Sequence, residues 1–110
     1  MTTDKTGAPT TVTRGQDKFT IAVDGDTVGL AAFTDRATQR VFTHTEVDDD
    51  FEGRGLATIL VNKALDETKT DGLRVVAVCP MVAAFLDKHH EFDDVRDPLT
   101  DDIEDWLENS

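Results

Sequence analysis

Three short runs with apolar residues lie at 19–23, 28–33 and 41–47, and in the first of them Phe19, Ile21 and Val23 recur at every second position. Alternation with a period of two is typical of strands that are buried on one face. Asp24-Gly25-Asp26 separates the first two runs and has the composition of a tight hairpin turn, and a polar turn at 35–38 separates the second from the third. The pattern therefore predicts three antiparallel strands.

The apolar spacing changes to that of a helix at Leu56 and keeps this period until Asp71-Gly72, where a helix stop is expected. The next run, 73–79, is almost entirely apolar, as in a strand that is buried on both faces. Pro80 suits the first turn of a second helix, which reaches the charged stretch His89-His90-Glu91. These elements predict a strand, helix, strand, helix unit with two parallel strands.

The two ends of the chain differ in pattern. Residues 1–16 are rich in Thr, Gly and Pro without an apolar period, and we predict a flexible terminus there. Near the other end, Thr100 can cap a short acidic helix that docks through Ile103, Trp106 and Leu107. We therefore expect one α/β domain over 17–110, with a mixed sheet and antiparallel strands first.

The charge is strongly negative, because 23 Asp and Glu residues face 11 Lys and Arg residues, for a formal charge of −12. This excludes a broad nucleic-acid footprint, which needs clustered cations. No run approaches the roughly 20 apolar residues of a spanning helix, and we expect a cytoplasmic protein without a membrane partner. The acidity favours adaptation to strong salt, although attraction of a cationic substrate is an alternative.

A glycine-bearing turn precedes the first helix, in the segment Glu52-Gly53-Arg54-Gly55-Leu56-Ala57. Glycines between a strand and a helix allow a ligand to approach the uncapped amides of the helix start. Arg54 and the helix dipole add positive charge, so a pyrophosphate fits the turn. The alternative is that Gly53 and Gly55 only permit a tight connection.

The segment resembles the acetyl-CoA-binding motif of the GNAT superfamily of N-acetyltransferases, which reads Gln or Arg, two residues, Gly, one residue, and Gly or Ala. Gly55 and Ala57 match the motif, and Glu52 stands in the Gln or Arg place. The similarity extends over 44–95, which looks like the small single-domain GNAT-like proteins of the YjdJ type. They share a His-x-Glu-Val strand, a Glu-Gly-x-Gly loop, and a Cys-Pro before a helix. Two departures are His90 in place of Pro and Phe92 in place of Tyr.

The resemblance implies a compact GNAT-like fold in which an amine attacks the thioester of acetyl-CoA where the strands at 41–47 and 73–79 splay apart. Backbone amides near Val47 would hold the pantetheine arm. The pyrophosphate would lie on the amides of the turn, which includes Glu52, Gly53, Arg54, Gly55, Leu56 and Ala57.

Many GNAT enzymes use a tyrosine as the acid for the leaving thiolate, but the chain contains no tyrosine. Cys79, at the end of the second splayed strand, is the candidate for that acid or, less favourably, for an acetyl carrier. A small buried core residue is the alternative for this cysteine. It forms no disulfide within the chain, which has no second cysteine.

His44 and Glu46 lie two residues apart, and alternation places Phe42 on their face of the third strand. The histidine is a candidate base and the glutamate a candidate anchor for a cationic amine. The alternative is a structural hydrogen-bonding pair.

Other chemically capable side chains have a structural interpretation. We interpret His89 and His90 as structural, because no cluster with metal-ligand spacing surrounds them, and we expect no metal. We expect Met81, Phe85 and Trp106 in the core.

Three functions remain open at this point. The first is an acetyl-CoA-dependent N-acetyltransferase for a primary amine such as a protein lysine, a polyamine or a small amine. The second is a catalytically weak acyl-CoA-binding module that acts as a regulator or interaction domain. The third is an interaction protein without a cofactor, which the loop and helix disfavour.

Overall fold

The computed structural model describes residues 2–3, 7, 9–51 and 55–108. One sheet contains the strands β1 (Thr2–Thr3), β2 (Pro9–Arg14), β3 (Lys18–Val23), β4 (Asp26–Arg36), β5 (Gln39–Val47), β6 (Arg74–Ala77) and β7 (Arg96–Asp97). The helices are α1 (Leu56–Thr70), α2 (Pro80–Lys88) and α3 (Asp101–Glu108), and short 3-10 helices span Asp49–Phe51 and His90–Val95.

The strands lie in chain order across the sheet. Neighbouring strands from β1 to β5 pair antiparallel, and β5, β6 and β7 pair parallel. The chain passes from β5 to β6 through α1, because two parallel neighbours need a crossover connection. The predicted hairpin turn holds Asp24 and Gly25 at φ 50° and 89°. The predicted mixed α/β sheet, antiparallel first and then parallel, is confirmed.

The prediction of a flexible terminus over 1–16 is wrong for residues 9–14. These residues form β2, which pairs with β3 in the register Thr10 to Val23 through Arg14 to Phe19. The stretch is rich in Thr, whose branched side chain suits a strand, but Val12 is its one large apolar residue. A strand with so few apolar positions has no visible hydrophobic period.

The main core lies between the sheet and the helices α1 and α2. Phe19, Phe33 and Phe42 meet there with ring centroids 5.3 to 6.3 Å apart, beneath the buried side of α1. A smaller core lies on the opposite face, where Ile103 of α3 packs with Val41 and Val76. The second face is therefore packed by α3 only near Val41 of β5 and Val76 of β6.

A buried cation fixes the start of β5 against the end of α1. The Arg40 guanidinium donates to Asp35 at 2.9 Å and lies 3.4 Å from Asp71, just after α1. Its Cζ atom also lies 4.6 Å from the centroid of the Phe33 ring, a cation–π contact. These contacts hold the sheet and α1 together at the amino-terminal end of β5.

Candidate active site

The strands β5 and β6 separate after Phe42. Their parallel pairing runs from Gln39 with Arg74 to Phe42 with Ala77. The amides of Val78 and Cys79 both donate to the Phe42 carbonyl at 3.0 Å, and α2 then begins at Pro80. In the described part of the chain, no strand pairs with residues 43–47 on the β6 side. The early end of β6 therefore opens a gap beside the last five residues of β5.

A β-bulge at Thr43 changes which side chains face the gap. Phe33 pairs with Phe42 and Ala32 pairs with His44, so Thr43 is an extra residue in β5. The predicted face assignment is therefore wrong for Phe42, which lies in the main core beneath α1. The sequence could not indicate this, because strict alternation has no place for an extra residue.

Cys79 lies at the gap, on the face that α1 and α2 cover. Its thiol is 4 % exposed and donates to the Thr45 hydroxyl, with Sγ 3.4 Å from Oγ1. The contact joins the end of β6 to the open half of β5. The residue is therefore both buried in the main core and engaged with a polar partner at the gap.

His44 and Glu46 lie on the other face of β5. Both side chains are 62 % exposed, and Nε2 of His44 is 3.4 Å from Oε2 of Glu46. Thr45, between them in sequence, is buried with Cys79. The structure thus brings His44 and Glu46 together and brings Cys79 to the same gap, but it places the pair and the thiol on opposite faces of the strand.

The start of α1 follows the end of β5. Gly55 is the N-cap residue in the left-handed conformation, with φ 78°, and among the described residues no side chain caps the first turn by a hydrogen bond. Leu56 is buried, and the first turn carries no acidic residue, although the chain is strongly acidic. Ala57 is half-buried and Val47 packs against the main core. Glu52, Gly53 and Arg54 lie outside the described residues.

A groove of about 180 Å³ runs between α1 and α2 from the start of both helices. Its lining residues are Ala57, Thr58 and Val61 of α1, Met81, Ala84, Phe85 and Lys88 of α2, and His89. The prediction that Met81 lies in the core is wrong, because its side chain is 41 % exposed. Phe85 is buried, as expected, and the His89 ring stacks on it with centroids 4.0 Å apart.

The mixed sheet, with its gap between two parallel strands at the start of α1, is an α/β fold, and comparison with known proteins gives the family. A profile described as GCN5-related N-acetyl-transferase matches residues 18–95. The chain belongs to this family. No protein with a curated description matches the chain by sequence.

Two solved structures share the fold. A GCN5-like N-acetyltransferase candidate from Staphylococcus aureus, solved by NMR, has a TM-score of 0.64 and 20 % identity over 83 % of this chain and 91 % of that one. The ribosomal-protein-S18-alanine N-acetyltransferase from Escherichia coli has a TM-score of 0.57 and 17 % identity, over 68 % of this chain and 53 % of that enzyme.

These findings confirm the predicted family and the predicted enzyme class, a GNAT-type N-acetyltransferase. Enzymes of this family generally transfer an acyl group from acetyl-CoA to an amine. No finding tests the roles of the individual site residues or the YjdJ subtype, and these stay predictions.

Sequence reasoning missed Thr45 as the partner of the candidate thiol. Thr45 is one of two threonines around His44, and the alternating pattern places both on one face. The bulge at Thr43 separates them: the Thr45 hydroxyl accepts from Cys79, whereas the Thr43 hydroxyl donates to the Ala32 carbonyl. Cys79 and Thr45 are 34 positions apart in the sequence, and only the fold brings them together.

Two negative findings apply to the residues in the described ranges. They contain no group of three or more His, Cys, Asp or Glu side chains that could hold a metal ion. They also contain no helix that is long and apolar enough to span a membrane.

Proposed function

We propose that the protein is an acetyl-CoA-dependent N-acetyltransferase that moves an acetyl group to a primary amine, such as a protein lysine, a polyamine or a small amine. One observation carries this proposal. The strands β5 and β6 part next to a helix whose first turn has no side-chain cap from the described residues, and this supports a thioester site and a phosphate site at the same end of the sheet.

The start of α1 fits the diphosphate of coenzyme A. Backbone amides of the first turn have no partner within the helix, and the dipole gives this end a partial positive charge. An acid in the first turn would oppose an anion, and none is present. The amides of Leu56 and Ala57 would hold the diphosphate, and Gly55, at the N-cap, has no side chain that could cover them. We place Glu52, Gly53 and Arg54 in the same cofactor loop, and Val47 beside the pantetheine arm.

Bound acetyl-CoA supplies the acetyl group as a thioester. On the α1 face, Cys79 is the proton donor available for a departing thiolate, and its contact with Thr45 orients the thiol. Cys79 itself is almost entirely shielded from solvent. The main-chain groups of residues 43–47 that face away from β4 provide polar contacts along the gap.

The acceptor amine would enter from the opposite face. His44 and Glu46 are exposed there, so a free amine can reach them from solvent. Glu46 would hold the acceptor as its ammonium ion and orient the imidazole, and His44 would take a proton from that ammonium to give the neutral amine that attacks the thioester. The formal charge of −12 supports a cationic acceptor, and adaptation to strong salt is the alternative explanation of this charge.

Binding is the first test. Acetyl-CoA should raise the melting temperature of the protein, and calorimetry should give a dissociation constant, in dilute and in molar salt. A ligand at 100 times its dissociation constant stabilises the folded form by about 2.7 kcal/mol. Absence of both heat and thermal shift would refute the transferase and the alternative acyl-CoA-binding module together.

Transfer is the second test. Labelled acetyl-CoA with a panel of amines should give labelled products at a rate that falls in His44→Gln. The matched control is His90→Gln, because His90 is also exposed and also lies near a carboxylate, 3.1 Å from Asp93. Binding without transfer to any amine would favour the acyl-CoA-binding module.

The role of the thiol has its own variant. Cys79→Ala should bind acetyl-CoA but turn over more slowly. Turnover at the parent rate would show that Cys79 is not the acid, and trapping of labelled acetyl on the wild-type protein but not on the variant would favour a covalent carrier.

A further inference from the structure

The helix α3 buries fewer residues than either of the other two helices. Ile103 is its one buried residue, and the small core that holds it contains Val41 of β5 and Val76 of β6. The residues that pack against this core while only partly buried are Val78, Trp106 and Leu107. An isolated helix shorter than about 12 residues is marginal in water, so the eight residues of α3 depend on this small core for their structure.

The same helix is strongly acidic. It contains no Lys or Arg, and all five of its acids are exposed: Asp101, Asp102, Glu104, Asp105 and Glu108. Residues three or four apart are neighbours on a helix, so α3 holds like charges together, for example Glu104 with Glu108. The rest of the chain has a net charge of −7 and also repels α3. Arg36 contacts α3 over the Trp106 ring, with Cζ 5.6 Å from the ring centroid.

The range of this repulsion depends on salt. The screening length is about 30 Å at 0.01 M salt and about 3 Å at 1 M. The first value is similar to the dimensions of the molecule, 41 × 28 × 22 Å, and the second is shorter than the spacing of neighbouring charges on a helix. Contacts between apolar side chains are not screened. Salt therefore weakens the forces that oppose docking of α3 and keeps the forces that favour it.

We propose that α3 docks on β5 and β6 in strong salt and separates from them in dilute salt, while the main core stays folded. Separation would uncover Val41 and Val76, on the face of β5 that also carries His44 and Glu46. Docking of α3 does not depend on the proposed acyl transfer, so either proposal can be wrong without the other.

The chain contains one natural reporter for each core. Trp106 on α3 is the only tryptophan and the chain has no tyrosine, whereas Cys79, the only cysteine, is buried in the main core. Lowering the salt from about 1 M to about 0.01 M should shift the Trp106 emission to longer wavelength and increase its quenching by acrylamide severalfold. Alkylation of Cys79 should keep the same rate, because the main core stays closed.

A variant without the anchor tests whether α3 can separate by itself. Ile103→Ala should keep the Trp106 emission at long wavelength in both dilute and strong salt, with Cys79 as protected as in the wild type. Loss of Cys79 protection in this variant would show that α3 is an inseparable part of the fold, and the inference would be wrong.

A second variant tests the charges. Glu104→Gln with Glu108→Gln should move the Trp106 transition to lower ionic strength. The matched control is Glu67→Gln with Glu91→Gln, which removes the same net charge on the α1 side of the sheet and should move the transition less. An equal movement in both double variants would show that the charges of α3 are not the cause.

The wild-type protein can also contradict the inference. A Trp106 emission that stays constant over the whole salt range would do so. Exposure of Trp106 and Cys79 at the same salt concentration would do so as well, because it would indicate unfolding of the entire chain.

Discussion

The two halves of β5 differ in how their hydrogen bonds and side chains are used. Residues 39–42 pair with strands on both sides, and Arg40, Val41 and Phe42 are buried there. Residues 43–47 pair with β4 alone in the described part of the chain, and two of their five side chains, His44 and Glu46, are exposed. One strand thus provides both a core element and an open site.

The difference shows how this fold separates stability from function. The paired half lies between two packed faces, with Phe42 in the main core and Val41 in the smaller one. The open half begins at the bulge, where the early end of β6 leaves one side free for a ligand. Substitutions upstream of Thr43 should therefore change stability, and substitutions downstream should mainly change chemistry.

The largest effect expected is in the paired half. Phe42→Ala removes a fully buried ring that contacts two other phenylalanines, and it should lower the free energy of unfolding by about 4 kcal/mol. Chemical denaturation measures the change. A loss below about 1 kcal/mol would mean that the paired half is not the stable part of the strand.

A smaller effect is expected in the open half. Thr45→Val keeps the volume but removes the acceptor of the Cys79 thiol, so the free energy of unfolding should fall by about 1 kcal/mol or less. The Cys79 thiol also loses the partner that holds it, and because alkylation of a buried thiol requires local opening, alkylation should become faster.

The control for this variant is Thr43→Val. Thr43 lies in the same half of β5, but its hydroxyl donates to the Ala32 carbonyl at 3.5 Å and not to Cys79. Its alkylation rate should match that of the wild type. Equal rates in all three proteins would show that Thr45 does not affect the thiol.

The smallest effect concerns the outer edge of the parallel strands. A hydrogen bond from Gln39 at 2.8 Å, assisted by Arg74 at 2.6 Å, lowers the pKa of Asp97 below its ordinary value of 3.8. A carboxylate whose pKa is lower in the folded than in the unfolded state stabilises the fold at pH values above its unfolded-state pKa. This contribution to the free energy of unfolding is lost as the pH falls through the folded-state pKa.

Asp97→Asn should therefore cost at most about 1 kcal/mol at neutral pH and make the unfolding free energy less dependent on pH below about pH 4. Denaturation at a series of acidic pH values measures this. Parallel pH curves for the variant and the wild type would contradict the assignment.

Much of the fold was predictable from local patterns. The period of the apolar residues located α1 to within a residue, because a helix of this length buries one continuous stripe. Asp24-Gly25 marked the hairpin, since few residues other than Gly, Asn and Asp adopt positive φ in a tight turn. The family was predictable as well, because a strand, a glycine turn and a Cys-Pro helix start occur together in 44–95.

The sequence alone therefore determined the order and kind of most elements and the family, since these depend on interactions between residues close in the chain. Only the tertiary structure decided that β2 joins the sheet, that a bulge turns Phe42 to the main core, and that Thr45 contacts Cys79. Each of these depends on pairing or packing between distant segments, where burial and hydrogen bonding outweigh the local preference of the residues involved.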